Sequence, residues 1–337
     1  MSIAYGNRRL LLSNPLTNRN PGSGRLVSRI AVRFMDWGFS VEKKQWIGFI
    51  LGSLPVLVML LFVGVPIVLA AAYTFGYAKG PNAVVSEMAQ HQVIVQHGLT
   101  LDVYRNLLAD SSFRGDLWAT IWVTAVSVLF ILIISWILAL YVRFSHGRLA
   151  KLVSTLYLIP MFIPVVIASY ALVTFWNDGG FITAVAAQLG DSQFPALGYT
   201  LPGVVLSQVW VNIPFSVLML SSGLQNIPDS VVEAARDVGA TWLPLVTKVI
   251  IPLNILPTVI VGTFAAIGVL GSFTIPYMVG PTSPQMLGEA MSNYFQSYNE
   301  PQQAEAMAMI LFVLALAIGF VYVWANVRAD KKGGVLR

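Results

Sequence analysis

Residues 117–142 read LWATIWVTAVSVLFILIISWILALYV, without one charged side chain. A run of roughly 20 apolar residues is what a helix needs to cross the hydrocarbon core of a bilayer, where the backbone must satisfy its own hydrogen bonds. Five more charge-free windows flank it: Gln45 to Ala78, Leu152 to Asn177, Ser192 to Pro228, Val249 to Gly288 and Ala306 to Val327. The predicted fold is therefore an all-α integral membrane protein with six transmembrane helices. The fourth and fifth spans are placed near 202–223 and 249–270. Composition agrees, with 56% hydrophobic and 10% charged residues in 337, against about 25% charged in a soluble domain.

Lys and Arg near a span resist translocation, so their distribution orients the bundle. The N-terminal 44 residues, the 143–151 and 224–248 segments and the residues after 327 together hold 17 of the 20 basic side chains. This predicts a multi-pass membrane protein with both termini and these two loops cytoplasmic. The 79–116, 178–200 and 271–305 segments face outward. The net charge of +5 then reflects topology and contact with anionic membrane lipid rather than nucleic-acid binding. No cleavable leader pattern precedes the first apolar window, which reads as an anchor.

Several kinds of chemistry are missing. With no cysteine in the chain there is no disulfide, thiol nucleophile or Cys-ligated metal. His91, His97 and His146 fall in loops without metal-ligand spacing, so no metal site and no catalytic residue is predicted. No span has a centrally placed ionisable residue, which disfavours membrane enzymes and proton-coupled carriers. The chain also lacks a Gly-x-x-x-x-Gly-Lys-Ser/Thr phosphate loop. It should hold no cofactor, and any nucleotide energy must enter through a partner.

Three regions are expected: a tail over 1–44, a six-span domain over 45–327 and a tail over 328–337. Within the first, Arg25, Arg29 and Arg33 recur beside Leu26, Ile30 and Phe34, a spacing that predicts an amphipathic helix on the membrane surface. Pro160, Pro164, Pro214, Pro252 and Pro257, with Gly262, Gly268 and Gly271, predict bent helices around a pathway. The polar positions Ser169, Tyr170, Thr174, Gln208, Asn212 and Asn254 are candidates for lining that pathway. Bonding between helices is the alternative.

The most informative cytoplasmic segment is 224–248. Ser230 followed by Glu233 has capping-box spacing and predicts a helix start. Ala234 and Ala235 leave one part of that helix low in bulk, Arg236 and Asp237 add charge at its edge, and Gly239 can take the positive φ that ends a helix. The loop is thus a compact projection able to receive another protein.

Glu233-Ala-Ala, three residues, Gly239, nine residues and Val249-Ile-Ile-Pro252 resembles the E-A-A-x3-G-x9-I-x-L-P signature of permease subunits of binding-protein-dependent ABC importers. The one departure is Val and Ile for Ile and Leu before the proline. The likeness spans about 45–327 and is nearest the spermidine/putrescine type, in Val232 to Ala240, Gly271 to Pro281 and Met286 to Gly288. It implies that Ser230, Glu233, Ala234, Ala235, Arg236, Asp237 and Gly239 form a coupling helix. It also implies a second permease subunit paired as a heterodimer, two cytoplasmic ATPase subunits that hold ATP and Mg, and an external solute-binding protein. A polyamine is the first substrate expectation, with a sugar, an anion or iron as alternatives. An ATP-independent carrier or channel, or a membrane scaffold, is the rival from another class.

Overall fold

The computed structural model describes residues 52–77, 92–95, 98–191 and 193–333. The N-terminal tail with its expected helix around Arg29, together with His91 and His97, lies outside the described residues. The chain divides into two units, up to Pro66 and from Ile67 onward.

In the first unit residues 52–66 begin the apolar helix α1 (Gly52–Thr74). Pro66 has no N–H to give the helical ladder, and the turn just before it, Leu60–Gly64, is π-wound. Its large side chains, such as Leu57, Leu60 and Phe62, are exposed, as suits a helix in lipid.

The second unit contains helices and turns and no strand among its described residues. Its elements are α2 (Asp102–Ala109), α3 (Ser111–Phe144), α4 (Arg148–Leu156), a 3-10 turn (Ile159–Phe162), α5 (Val165–Trp176), α6 (Phe181–Gln188), α7 (Leu201–Gln225) and α8 (Asp229–Asp237). They continue with α9 (Trp242–Leu253), α10 (Ile255–Leu270), α11 (Thr274–Val279), α12 (Leu287–Gln296) and α13 (Pro301–Gly333). Among the described residues five helices are long and apolar enough to cross a membrane, and the bent pair α9–α10, taken as one span, makes a sixth.

The core is the seam between α3 and α7. Val123, Ile131 and Ala139 of α3 share a cluster with Val205, Val209, Val217, Leu220 and Leu224 of α7 and with Val261, Ala265 and Val269 of α10. The buried positions of α3 recur at helical pitch through Ala119, Val123, Ser127, Ile131, Ser135 and Ala139. Many are small, and small residues let apolar helices approach closely in a bilayer. A second cluster joins Phe113, Leu270, Leu287, Ala290, Met307 and Leu311.

The third and fifth spans depart from their predicted frames. The 152–177 window is not one helix. Pro164 keeps Ile163 extended and opens α5, because a residue before proline avoids the α region. The span therefore starts at Val165 and uses α6, a stretch assigned above to a loop. The fifth span starts earlier, at Trp242, and bends by 74° at Asn254. Toward the other end of the chain α13 is described as far as Gly333, beyond the expected tail boundary at 328.

At its N-terminal end α3 is tied to the segment leading into α12. Asp116 Oδ1 accepts from the Gln285 N–H at 2.9 Å, and Thr120 Oγ1 accepts from the Leu287 N–H at 2.8 Å. Asp116, just outside the apolar window, is thus a buried helix residue. At 34 residues, α3 is about 50 Å long, so a projection at its C-terminal end is far from these ties.

Candidate functional site: a helical projection at the end of α3

Beyond Gln225 the chain turns through Asn226 and Ile227. Pro228, extended at ψ 142°, leads into α8. The helix begins at Asp229, two residues earlier than the capping-box spacing implies. Ser230 therefore lies inside the first turn, and no side chain caps the helix. This corrects the expected pairing of Ser230 with Glu233: the fixed φ of Pro228 and the acidic Asp229 at the positive helix end start α8 instead.

The C-terminal end is as the glycine suggested. The Ala240 N–H donates to the Ala235 carbonyl at 3.0 Å and the Gly239 N–H to the Arg236 carbonyl at 2.8 Å, a Schellman pair with Gly239 at φ +86°. Val232 is buried in the α3–α7 core, and Val231 and Ala235 pack against it. Ser230, Glu233, Ala234, Arg236 and Asp237 are exposed. Val238, Trp242 and Leu243 extend this outward face with apolar surface. A short helix rooted by Val232, with Val231 and Ala235 beside it, thus offers small, charged and apolar side chains together.

Consecutive side chains of the last turn of α3 hold both ends of this projection. Arg143 donates to the Ile227 carbonyl at 3.5 Å and pairs with the Asp229 carboxylate. Its guanidinium sits 5.5 Å from the Phe144 ring centre. Phe144 meets Trp242 edge-on at 5.1 Å between centroids. Sequence reasoning missed Arg143, Phe144 and Trp242, because their partners lie about a hundred residues away and no local spacing signals them.

The six polar span positions are not alike. Ser169, Gln208 and Asn254 are buried, while Tyr170 and Thr174 are exposed and Asn212 is half-buried. Asn254 Nδ2 donates to the Leu220 carbonyl at 3.2 Å, the bonding between helices given above as the alternative. The Thr174 hydroxyl and the Asn212 amide donate to carbonyls one turn back on their own helices. None of the six lines the apolar cleft of about 380 Å³ between α3 and α7, which Trp122, Phe130, Pro202 and Val209 border. Near the far end of α3, burial and the neighbouring charge of Asp116 push the Glu289 carboxyl up to about 7.

Compared with known proteins, residues 131–332 match the family described as binding-protein-dependent transport system inner membrane component. The spermidine/putrescine transport system permease protein PotB of Haemophilus influenzae is 23% identical, over 81% of this chain and 92% of its own. The trehalose transport system permease protein SugA of Mycobacterium tuberculosis is 30% identical, over 76% and 83%. Among solved structures, a chain of a bacterial ABC transporter that imports the acidic polysaccharide alginate superposes with TM-score 0.68 at 17% identity, over 87% of this chain and 98% of that one.

Proposed function

The chain belongs to the binding-protein-dependent transport inner-membrane family, as a non-catalytic permease component of an ABC importer, and from that premise we propose that α8 is where the driving ATPase docks. One observation carries this reading. The Glu233-Ala-Ala helix is closed by a glycine turn and presents Ser230, Glu233, Ala234, Arg236 and Asp237 outward at the end of the 34-residue α3. Ala234 permits close approach, and Glu233, Arg236 and Asp237 offer charge for alignment.

In this reading ATP and Mg are held by two cytoplasmic ATPase subunits, so α8, both termini and the 143–151 turn lie in the cytoplasm. A second permease subunit completes the pathway and an external binding protein delivers the solute. Closure of the ATPase pair moves α8, and the bent spans reorient the pathway between the two sides.

The solute is a small molecule. A polycation of the spermidine/putrescine class is the first reading, supported by the PotB relatives and by Glu289 near the end of α3 opposite α8. A disaccharide is the second, favoured by the higher identity to a trehalose permease. The purified chain alone should hydrolyse no ATP. Complexes reconstituted with co-expressed ATPase and binding subunits should take up labelled spermidine or trehalose only with ATP. Ala234→Trp should abolish ATPase association while the chain stays in the membrane. Unimpaired association of that variant, or uptake without ATP, would sink the docking reading.

A further inference from the structure

We propose that α3 is the rod that carries force from α8 across the membrane, with Arg143 and Phe144 as the positioning residues that lock α8 to it; this rests on α8 being the docking helix. A helix of nine residues is marginal without tertiary support, and α8 roots itself in the core by Val232 alone among its buried side chains. Left to its two connections it would pivot.

The last turn of α3 removes that freedom at both feet. Arg143 holds the Ile227 carbonyl and the Asp229 carboxylate where the chain enters α8. Phe144 holds Trp242 edge-on where the chain leaves the glycine turn. The two grips come from adjacent residues, so α8 has to follow α3.

The other routes out of α8 are weaker axially. Past the glycine turn, α9 contains a π-wound stretch and ends in the 74° bend at Asn254. On the other side α7 carries Pro214, which removes a backbone bond from its ladder. α3 is unbroken over 34 residues with no proline. Its far end is not free either, since Asp116 and Thr120 hold the backbone N–H groups of Gln285 and Leu287. A displacement at α8 therefore arrives, through one rigid helix, at the segment that leads into α12.

An ion pair with an exposed partner, as Asp229 is, adds little to stability. Breaking the grip should leave the fold intact and change how α8 moves. That separates a positioning role from a structural one.

The chain has no cysteine, so introduced ones are its only labelling sites. Spin labels at Val238→Cys and Trp118→Cys, whose native side chains are 86% and 67% exposed, report on α8 and on the far part of α3. The permease–ATPase complex is placed in nanodiscs and measured by pulsed EPR without nucleotide and with Mg-ATP and vanadate. The expected result is one narrow distance, the same in both states. Arg143→Gln, or Asp229→Asn on the exposed side, should broaden it and make it nucleotide-dependent, with an unchanged Tm. Arg143→Lys, which keeps the charge, should restore the narrow distance. A distance that shifts with nucleotide in the labelled but otherwise unaltered chain, or that stays narrow in both neutral variants, overturns the proposal. Failure of the docking reading shows separately: the Val238 label would keep the same mobility whether or not the ATPase subunit is bound.

Discussion

Gly223 of α7 faces the α9–α10 break so closely that a Cβ on it would lie 1.8 Å from Asn254 Oδ1 and 2.5 Å from Pro257 Cγ. The same Asn254 donates its amide to the Leu220 carbonyl one turn back on α7. The bend in the fifth span is thus held against a notch in the fourth, and the notch exists because residue 223 has no side chain.

Gly223→Ala should therefore be destabilising despite the mildness of the change. Neither Asn254, which is fully buried and bonded, nor the proline ring can move aside cheaply. Overpacking of this kind costs about 1–3 kcal/mol. A lowered Tm in detergent or nanodiscs is expected, and an unchanged Tm would mean that the notch is not a constraint.

Gly239 differs, since nothing lies within 4 Å of a Cβ built there. Only its φ of +86° restricts it, and a left-handed conformation costs an ordinary residue about 1–2 kcal/mol. Gly239→Asn should be tolerated, because Asn adopts this region more readily. Gly239→Val should leave the protein in the membrane but lower solute taken up per ATP hydrolysed. Equal coupling in the two variants would show that the turn geometry is unimportant.

Thr120 is buried and its hydroxyl accepts the Leu287 N–H while donating to the Asp116 carbonyl. Thr120→Val keeps the shape and leaves that N–H unpaired, a loss of about 1–3 kcal/mol. Thr120→Ser should retain most of the stability. Hydrogen exchange at the Leu287 amide gives the direct test, with faster exchange expected in the valine variant only.

Glu289 predicts a pH effect. Its carboxyl is raised from 4.5 to about 7, by burial first and then by the charge of Asp116. Between those values the folded chain keeps a proton that the unfolded chain has released, so stability falls as pH rises through this window and levels off above it. Glu289→Gln should flatten the profile. Thermal unfolding at stepped pH measures it, and an identical slope in the variant would assign the dependence to another group.

Much of this was legible in the residue order. Uninterrupted apolar runs read as spanning helices, since a bilayer offers the backbone no other partner, and the described residues hold five such helices and a bent pair that, taken as one span, makes the sixth. Gly239 announced the end of α8 because positive φ is a local property. Local spacing misled at Ser230, where Pro228 set the start of α8 two residues earlier, and at the third span, where Pro164 displaced it to Val165. The polar residues of the spans could be counted but not sorted, because burial depends on which helix packs against which face.

Sequence alone determined that this chain spans a membrane in helices and carries a short, glycine-ended helical projection between its fourth and fifth windows, since both follow from hydrophobicity and backbone preferences within a few residues. Tertiary structure decided what that projection is fastened to. Arg143 meets Asp229, Phe144 meets Trp242 and Gly223 receives Asn254 because α3, α7 and the α9–α10 bend pack side by side, and such meetings arise from packing across long sequence separations that no local pattern encodes.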